Sequence, residues 1–180
     1  YHIYNMKKFC SKVLVVLNLF ETDTEEEQKQ IATFCKQHQT PFTISNCYQK
    51  GSLGGIKMAE MIVSLTEEET KKQLPVIYSL EDSLEEKITA FCKEIYYAKE
   101  VVFLEKARKK LKEYSLPLPI CIAKTQYSIT DDPQKLGFPK GETLTVTDLK
   151  LNHGAGFITV LMGNVMTMPG LSEHANYEKM

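Results

Sequence analysis

Val13-Leu-Val-Val-Leu17 is an unbroken run of β-branched and leucine residues that stops at Asn18, and its reading decides the fold. Five apolar residues without alternation are the pattern of a strand buried on both faces, whose natural host is a parallel sheet. Downstream, Thr24-Glu-Glu-Glu27 has the composition of a capping box, and Ile31, Phe34 and Cys35 give the apolar stripe of a helix reaching about His38. Pro41-Phe-Thr-Ile-Ser45 then reads as a second short strand. Together these segments predict one βαβ crossover, preceded by a helix over residues 1–8.

Beyond it, residues 46–55 read as a loop with Gly51, Gly54 and Gly55, followed by a helix carrying Ile56, Met58, Ala59, Met61, Ile62 and Leu65. A charged run over 67–73 ahead of Pro75 marks a boundary, dividing the chain into 1–74 and 75–180. In the second part Ser83-Leu-Glu-Glu86 is another capping box, opening a helix with Leu84, Ile88, Phe91, Cys92 and Ile95 on one face. Strands are predicted over 101–103, 120–123, 144–147 and 157–161, the third alternating as a half-exposed strand does, and a helix over 105–114. This part is therefore mixed α/β, with Gly154, Gly156, Gly163, Pro169 and Gly170 serving tight turns.

The 180 residues are 43% hydrophobic and 25% charged, enough for a sizeable core and unlike a disordered chain. A net charge of -1, from 22 basic and 23 acidic residues, supplies no general attraction to nucleic acid or anionic lipid. The basic stretch Lys106-Ala-Arg-Lys-Lys-Leu-Lys112 reads as a solvated helix face. Five scattered cysteines without a CxxC pair suit a reducing compartment, with Cys92 and Cys121 read as small core residues. His2, His38, His153 and His174 share no ligand spacing, so no metal site is expected. No apolar stretch approaches the ~20 residues of a membrane span. The chain starts at Tyr1 just ahead of a strand, which reads as a piece of something longer.

Several turns are richer than periodicity requires. Asn18-Leu-Phe-Glu-Thr-Asp-Thr24 leaves the C-terminal end of the first strand, the edge at which open α/β sheets bind ligands. Asn18 there is either a nucleotide- or pterin-contacting amide or a turn former, with Asp23 or Thr24 capping the helix. Phe20 and Tyr48 lie in the two successive strand-to-helix connections, which a βαβ unit brings to one edge. Either they form a stacking slot for a flat heterocycle, or Phe20 packs under its helix and Tyr48 decorates the surface. Gly51-Ser-Leu-Gly-Gly55 permits close backbone approach to an anion, but a GxxxxGK[ST] phosphate loop occurs nowhere in the chain. Lys124-Thr-Gln-Tyr-Ser128 and Asp131-Asp-Pro133 offer either a lysine that neutralises phosphate or a loop stapled by its own hydrogen bonds. No nucleophile–base arrangement assembles, so no catalytic residue is assigned.

These strings, in order, carry a family resemblance. Met6-Lys-Lys-Phe9, residues 13–24, 48–55 and 123–133, Lys140-Gly141, residues 154–157 and Met166-Thr-Met-Pro-Gly-Leu171 make the chain similar to the C-terminal portion of formate–tetrahydrofolate ligase nearly end to end. The resemblance implies the end of a P-loop-type parallel-sheet nucleotide domain over 1–74, and a smaller mixed α/β C-terminal domain over 75–180. It implies a ligase reaction: ATP phosphorylates formate, and N10 of tetrahydrofolate attacks the formyl phosphate to give 10-formyltetrahydrofolate, ADP and phosphate, assisted by magnesium and a monovalent cation. Phe20 and Tyr48 match the positions that hold the pterin, Asn18 is assigned to the nucleotide, and Lys124 to a loop or anion contact. Tyr48 stands where tryptophan is more usual, and Leu19 where a basic residue is expected.

The family's phosphate loop and its catalytic arginine and lysine segments belong to an N-terminal half not contained in these residues, so the piece alone is expected to be inactive. That half is its implied partner, oligomers are frequent in the family, and the cytoplasm is the expected compartment, with the mitochondrion left open. The competing expectation is a non-catalytic folate-binding or interaction protein derived from the ligase.

Overall fold

In the computed structural model, which describes residues 1–67 and 75–165, the chain divides into two compact units, Tyr1–Val76 and Ile77–Met180. The charged run before Pro75 and the Met166–Leu171 segment, with Pro169 and Gly170, lie outside the described residues, save for Glu67.

The first unit contains α1 (His2–Lys7), β1 (Val15–Asn18), α2 (Glu25–Gln37), β2 (Phe42–Ser45), α3 (Cys47–Lys50), a 3-10 turn (Gly51–Gly55) and α4 (Ile56–Glu67). β1 and β2 are parallel, in register from Val15 against Phe42 to Asn18 against Ser45. The crossover is therefore the predicted one. α2 begins at a capping box: the Thr24 N–H donates to Glu27 Oε2 at 2.8 Å and the Glu27 N–H returns to Thr24 Oγ1 at 3.3 Å. The Thr24 N–H and the Thr24 hydroxyl, both donating to Glu27 Oε2, hold that carboxyl below its usual value because they favour its charged form. At the other end His38 ties α1 to α2, its carbonyl accepting from Lys7 Nζ at 2.8 Å and its Nδ1 lying 3.1 Å from the Tyr4 hydroxyl.

Two expectations are corrected in this unit. β1 is not buried on both faces: Val16 is 37% exposed and Val15 and Leu17 are half-buried. Only β2 flanks it among the described residues, and a strand in a two-stranded sheet lacks the neighbours that would cover it. Within the expected 46–55 loop, residues 47–55 are helical, because the chain coils through α3 and the 3-10 turn directly into α4.

The second unit contains α5 (Leu84–Tyr96), β3 (Glu100–Phe103), α6 (Glu105–Glu113), β4 (Ile120–Ala123), β5 (Thr143–Asn152) and β6 (Phe157–Met162). The strands form one mixed sheet ordered β3-β5-β6-β4, in which β5–β6 is antiparallel and the outer pairs are parallel. α5 starts at the Ser83–Glu86 capping box, as its sequence predicts. Its inner face, Leu84, Ile88 and Cys92, joins Ala107 of α6 and Leu144, Val146, Leu149, Ile158, Val160 and Met162 of the central strands in one core.

β5 is more than twice as long as predicted, and a register shift lies between Val146 and Asp148. Asp148 is compatible with a strand here because Lys106 and Lys110 of α6 reach its two oxygens at 2.7 Å each. The basic stretch is thus more than a solvated face: Lys110 also donates to the Leu149 carbonyl and Arg108 Nε to that of Phe103. Cys92 is fully buried, but Cys121 is exposed. Among the described residues β4 pairs with β6 alone, and Cys121 falls on the exposed face of that edge strand. The 152–156 turn is built as expected, with Gly156 at φ 69° and its N–H on the Asn152 carbonyl.

Candidate functional site

At the C-terminal end of β1 the Leu19 N–H donates to the Ser45 carbonyl at 2.9 Å, carrying the parallel ladder one residue past Asn18. The backbone then reverses. The Phe20 N–H donates to Asp23 Oδ2 at 2.8 Å, and the Asp23 N–H returns to the Phe20 carbonyl at 3.1 Å. This closed turn delivers Thr24 to the start of α2.

The end of β2 is shaped by a second closure. The Asn46 N–H donates to the Gly54 carbonyl at 3.0 Å, and the Asn46 carbonyl accepts the Lys50 N–H at 3.0 Å. A Cβ on Gly54 would stand 2.1 Å from the Asn46 carbonyl oxygen, so only glycine fits this approach. The glycines expected to cradle an anion serve here to fold α3 back on the end of β2, with Tyr48 on α3.

Because the strands are parallel and in register, both connections leave the sheet at one edge. Phe20 and Tyr48 meet there, their ring centroids 5.4 Å apart and their planes inclined at 48°. Neither ring is buried: Phe20 is 44% and Tyr48 74% exposed. Packing under a helix, the bland alternative for Phe20, is not what this geometry shows. Two tilted aromatic faces open to solvent form a wedge suited to a flat, partly apolar heterocycle.

Asn18 is exposed at the same edge. Asn46, passed over by the sequence reading, has a buried Oδ1 that is the one such side-chain atom without a hydrogen-bond partner among the described residues. An unpaired buried acceptor costs on the order of 1–3 kcal/mol. The signal available in the sequence was position: Asn46 follows the second strand as Asn18 ends the first.

Lys124 belongs to the other unit. Its Nζ donates to the carbonyls of Thr125, at 3.0 Å, and Ser128, and lies 5.1 Å from the Tyr96 ring centroid. Burial pulls its pKa down, against an opposing pull from Asp131. The turn that follows closes on itself, with Ser128 Oγ 3.0 Å from Thr130 Oγ1 and Asp131 Oδ2 accepting the Thr145 N–H at 2.8 Å. These are the bonds of a self-stapled loop. Among the described residues no three His, Cys, Asp or Glu side chains converge.

The profile of the family described as Formate--tetrahydrofolate ligase matches residues 1–180. Formate–tetrahydrofolate ligase of Petrotoga mobilis is 42% identical over 179 residues, covering 97% of this chain and 32% of that protein. The ligase of Porphyromonas gingivalis is 40% identical over 174 residues, 94% of this chain and 31% of the relative. That of Bacillus licheniformis is 37% identical over 183 residues, 99% and 33% respectively. The chain thus spans about a third of the length of the curated relatives it matches. With a family match over its whole length, the chain belongs to the formate–tetrahydrofolate ligase family.

Proposed function

We propose that this chain contributes the pterin-holding edge of an enzyme that formylates tetrahydrofolate at the expense of ATP. The juxtaposition of Phe20 and Tyr48 carries the reading, since it sets two solvent-facing aromatic rings side by side at one sheet edge. In this scheme the wedge grips the pterin and leaves N10 outside it, free to attack formyl phosphate. Asn18, at the same edge, contacts the nucleotide. Residues 1–74 act as the end of the nucleotide- and folate-binding domain, and 75–180 as a C-terminal domain.

Phosphoryl transfer to formate needs positioned cationic groups and a phosphate-cradling loop. These residues contain no GxxxxGK[ST] string, so we assign that half of the chemistry, with the ligands for magnesium and a monovalent cation, to the remainder of a family-length chain. The 180 residues alone are inactive in this reading. Five unpaired cysteines suit a reducing compartment such as the cytoplasm.

The test uses the protein at its natural length. Phe20→Ala and Tyr48→Ala should each raise KM for tetrahydrofolate by about tenfold, the loss of one aromatic contact, with KM for ATP unchanged. Unaltered tetrahydrofolate KM in both variants would remove the basis of the proposal. Formylation by the purified 180 residues alone would refute their inactivity.

A further inference from the structure

The Phe20 ring is 44% exposed and its centroid lies 5.4 Å from that of Tyr48, and an aromatic face serves a ligand best when its direction is fixed beforehand. Its direction depends on the backbone that carries it. That backbone is held by one side chain. Asp23 accepts the Phe20 N–H at 2.8 Å through Oδ2, while its own N–H closes on the Phe20 carbonyl at 3.1 Å. Thr24 and Glu27 already complete the capping box of α2 between themselves. Asp23 stands outside that box, and its carboxylate closes the entry turn on the Phe20 N–H as that of Asp82 closes the turn ahead of α5 on the Ser79 N–H.

We propose that Asp23 is a positioning residue: by clamping the Phe20 N–H it sets the tilt of the Phe20 ring against Tyr48 before the pterin arrives. This rests on the folate reading of the Phe20–Tyr48 pair. Asp23 touches no ligand in this scheme, and its carboxylate acts as a hydrogen-bond acceptor rather than as a charge. Without it, the 20–23 turn keeps one bond of two and the ring samples directions that do not face Tyr48. Binding then includes the cost of selecting the competent direction.

The experiment is a comparison of Asp23→Ala, Asp23→Asn and Phe20→Ala in the natural-length protein, with tetrahydrofolate binding read by calorimetry and both substrate KM values read kinetically. Asp23→Ala should weaken tetrahydrofolate binding about threefold to tenfold, the range for loss of one hydrogen bond, while KM for ATP stays at its wild-type value. Asp23→Asn, which keeps an oxygen acceptor, should recover most of that loss. If Phe20→Ala weakens binding and Asp23→Ala does not, the positioning role is wrong and the folate reading stands. If Phe20→Ala itself leaves binding intact, the folate reading fails. Equal losses in Asp23→Asn and Asp23→Ala would show that the charge matters rather than the acceptor, and parallel losses toward ATP would show a general structural role. Either result overturns the proposal.

Discussion

Burial, helped by the nearby Asp131 carboxylate, pushes the Cys92 thiol up to about 12, so it stays neutral at any pH the protein meets. Cys47 and Cys121 are exposed. Iodoacetamide at pH 8 followed by peptide mass spectrometry should therefore label Cys47 and Cys121 and spare Cys92 until denaturant is added. Labelling of Cys92 in the folded protein would contradict its place in the core. Cys92 was legible because helical spacing put it in line with Ile88 and Ile95. Cys121 was not, because an apolar run names a strand without saying which of its faces a neighbour covers.

At the scale of elements, the tie between α6 and β5 has a definite pH signature. Burial alone would raise the Asp148 pKa, but hydrogen bonds from Lys106, Lys110 and the Leu149 N–H outweigh it and hold the carboxyl below its ordinary value of 3.8. A folded-state pKa below the unfolded one means stability that is present above that value and lost as pH falls through the folded pKa. Asp148→Asn should cost about 1 kcal/mol at neutral pH, a modest figure because Lys106 is largely in water. The difference from wild type should shrink in urea melts as pH drops below 3.8. A gap that persists at low pH would place the effect in packing instead. The capping boxes at Thr24 and Ser83 could be read from sequence because each is complete within four residues. The full length of β5 could not, since Asp148 and Lys150 break its alternation and the partners that admit Asp148 lie on another helix.

Across the whole molecule, the two units differ in what they bury. Among the described residues, Cys35 is the one apolar side chain buried in the first unit, whereas the second has a continuous core. Residues 77–180 made separately should unfold cooperatively in heat or urea, and residues 1–76 should not, as circular dichroism would record. A cooperative melt of 1–76 would refute this. The βαβ crossover was legible because an apolar run, a capping box with its apolar stripe and a second short run each declare themselves locally. The exposure of β1 was not, since a run of five apolar residues states what a strand needs around it and not what it has.

The parallel register of β1 and β2 has one more consequence. The spacing of Phe20 and Tyr48 is measured across two hydrogen-bonded strands, while the connection between them runs through α2 and never enters that measurement. Whole turns could be gained or lost in the helix over evolutionary time without moving either ring. A slip of one residue in strand pairing, by contrast, would separate them at once. Heritable variation in length is thus tolerated along the crossover and forbidden in eight residues of sheet.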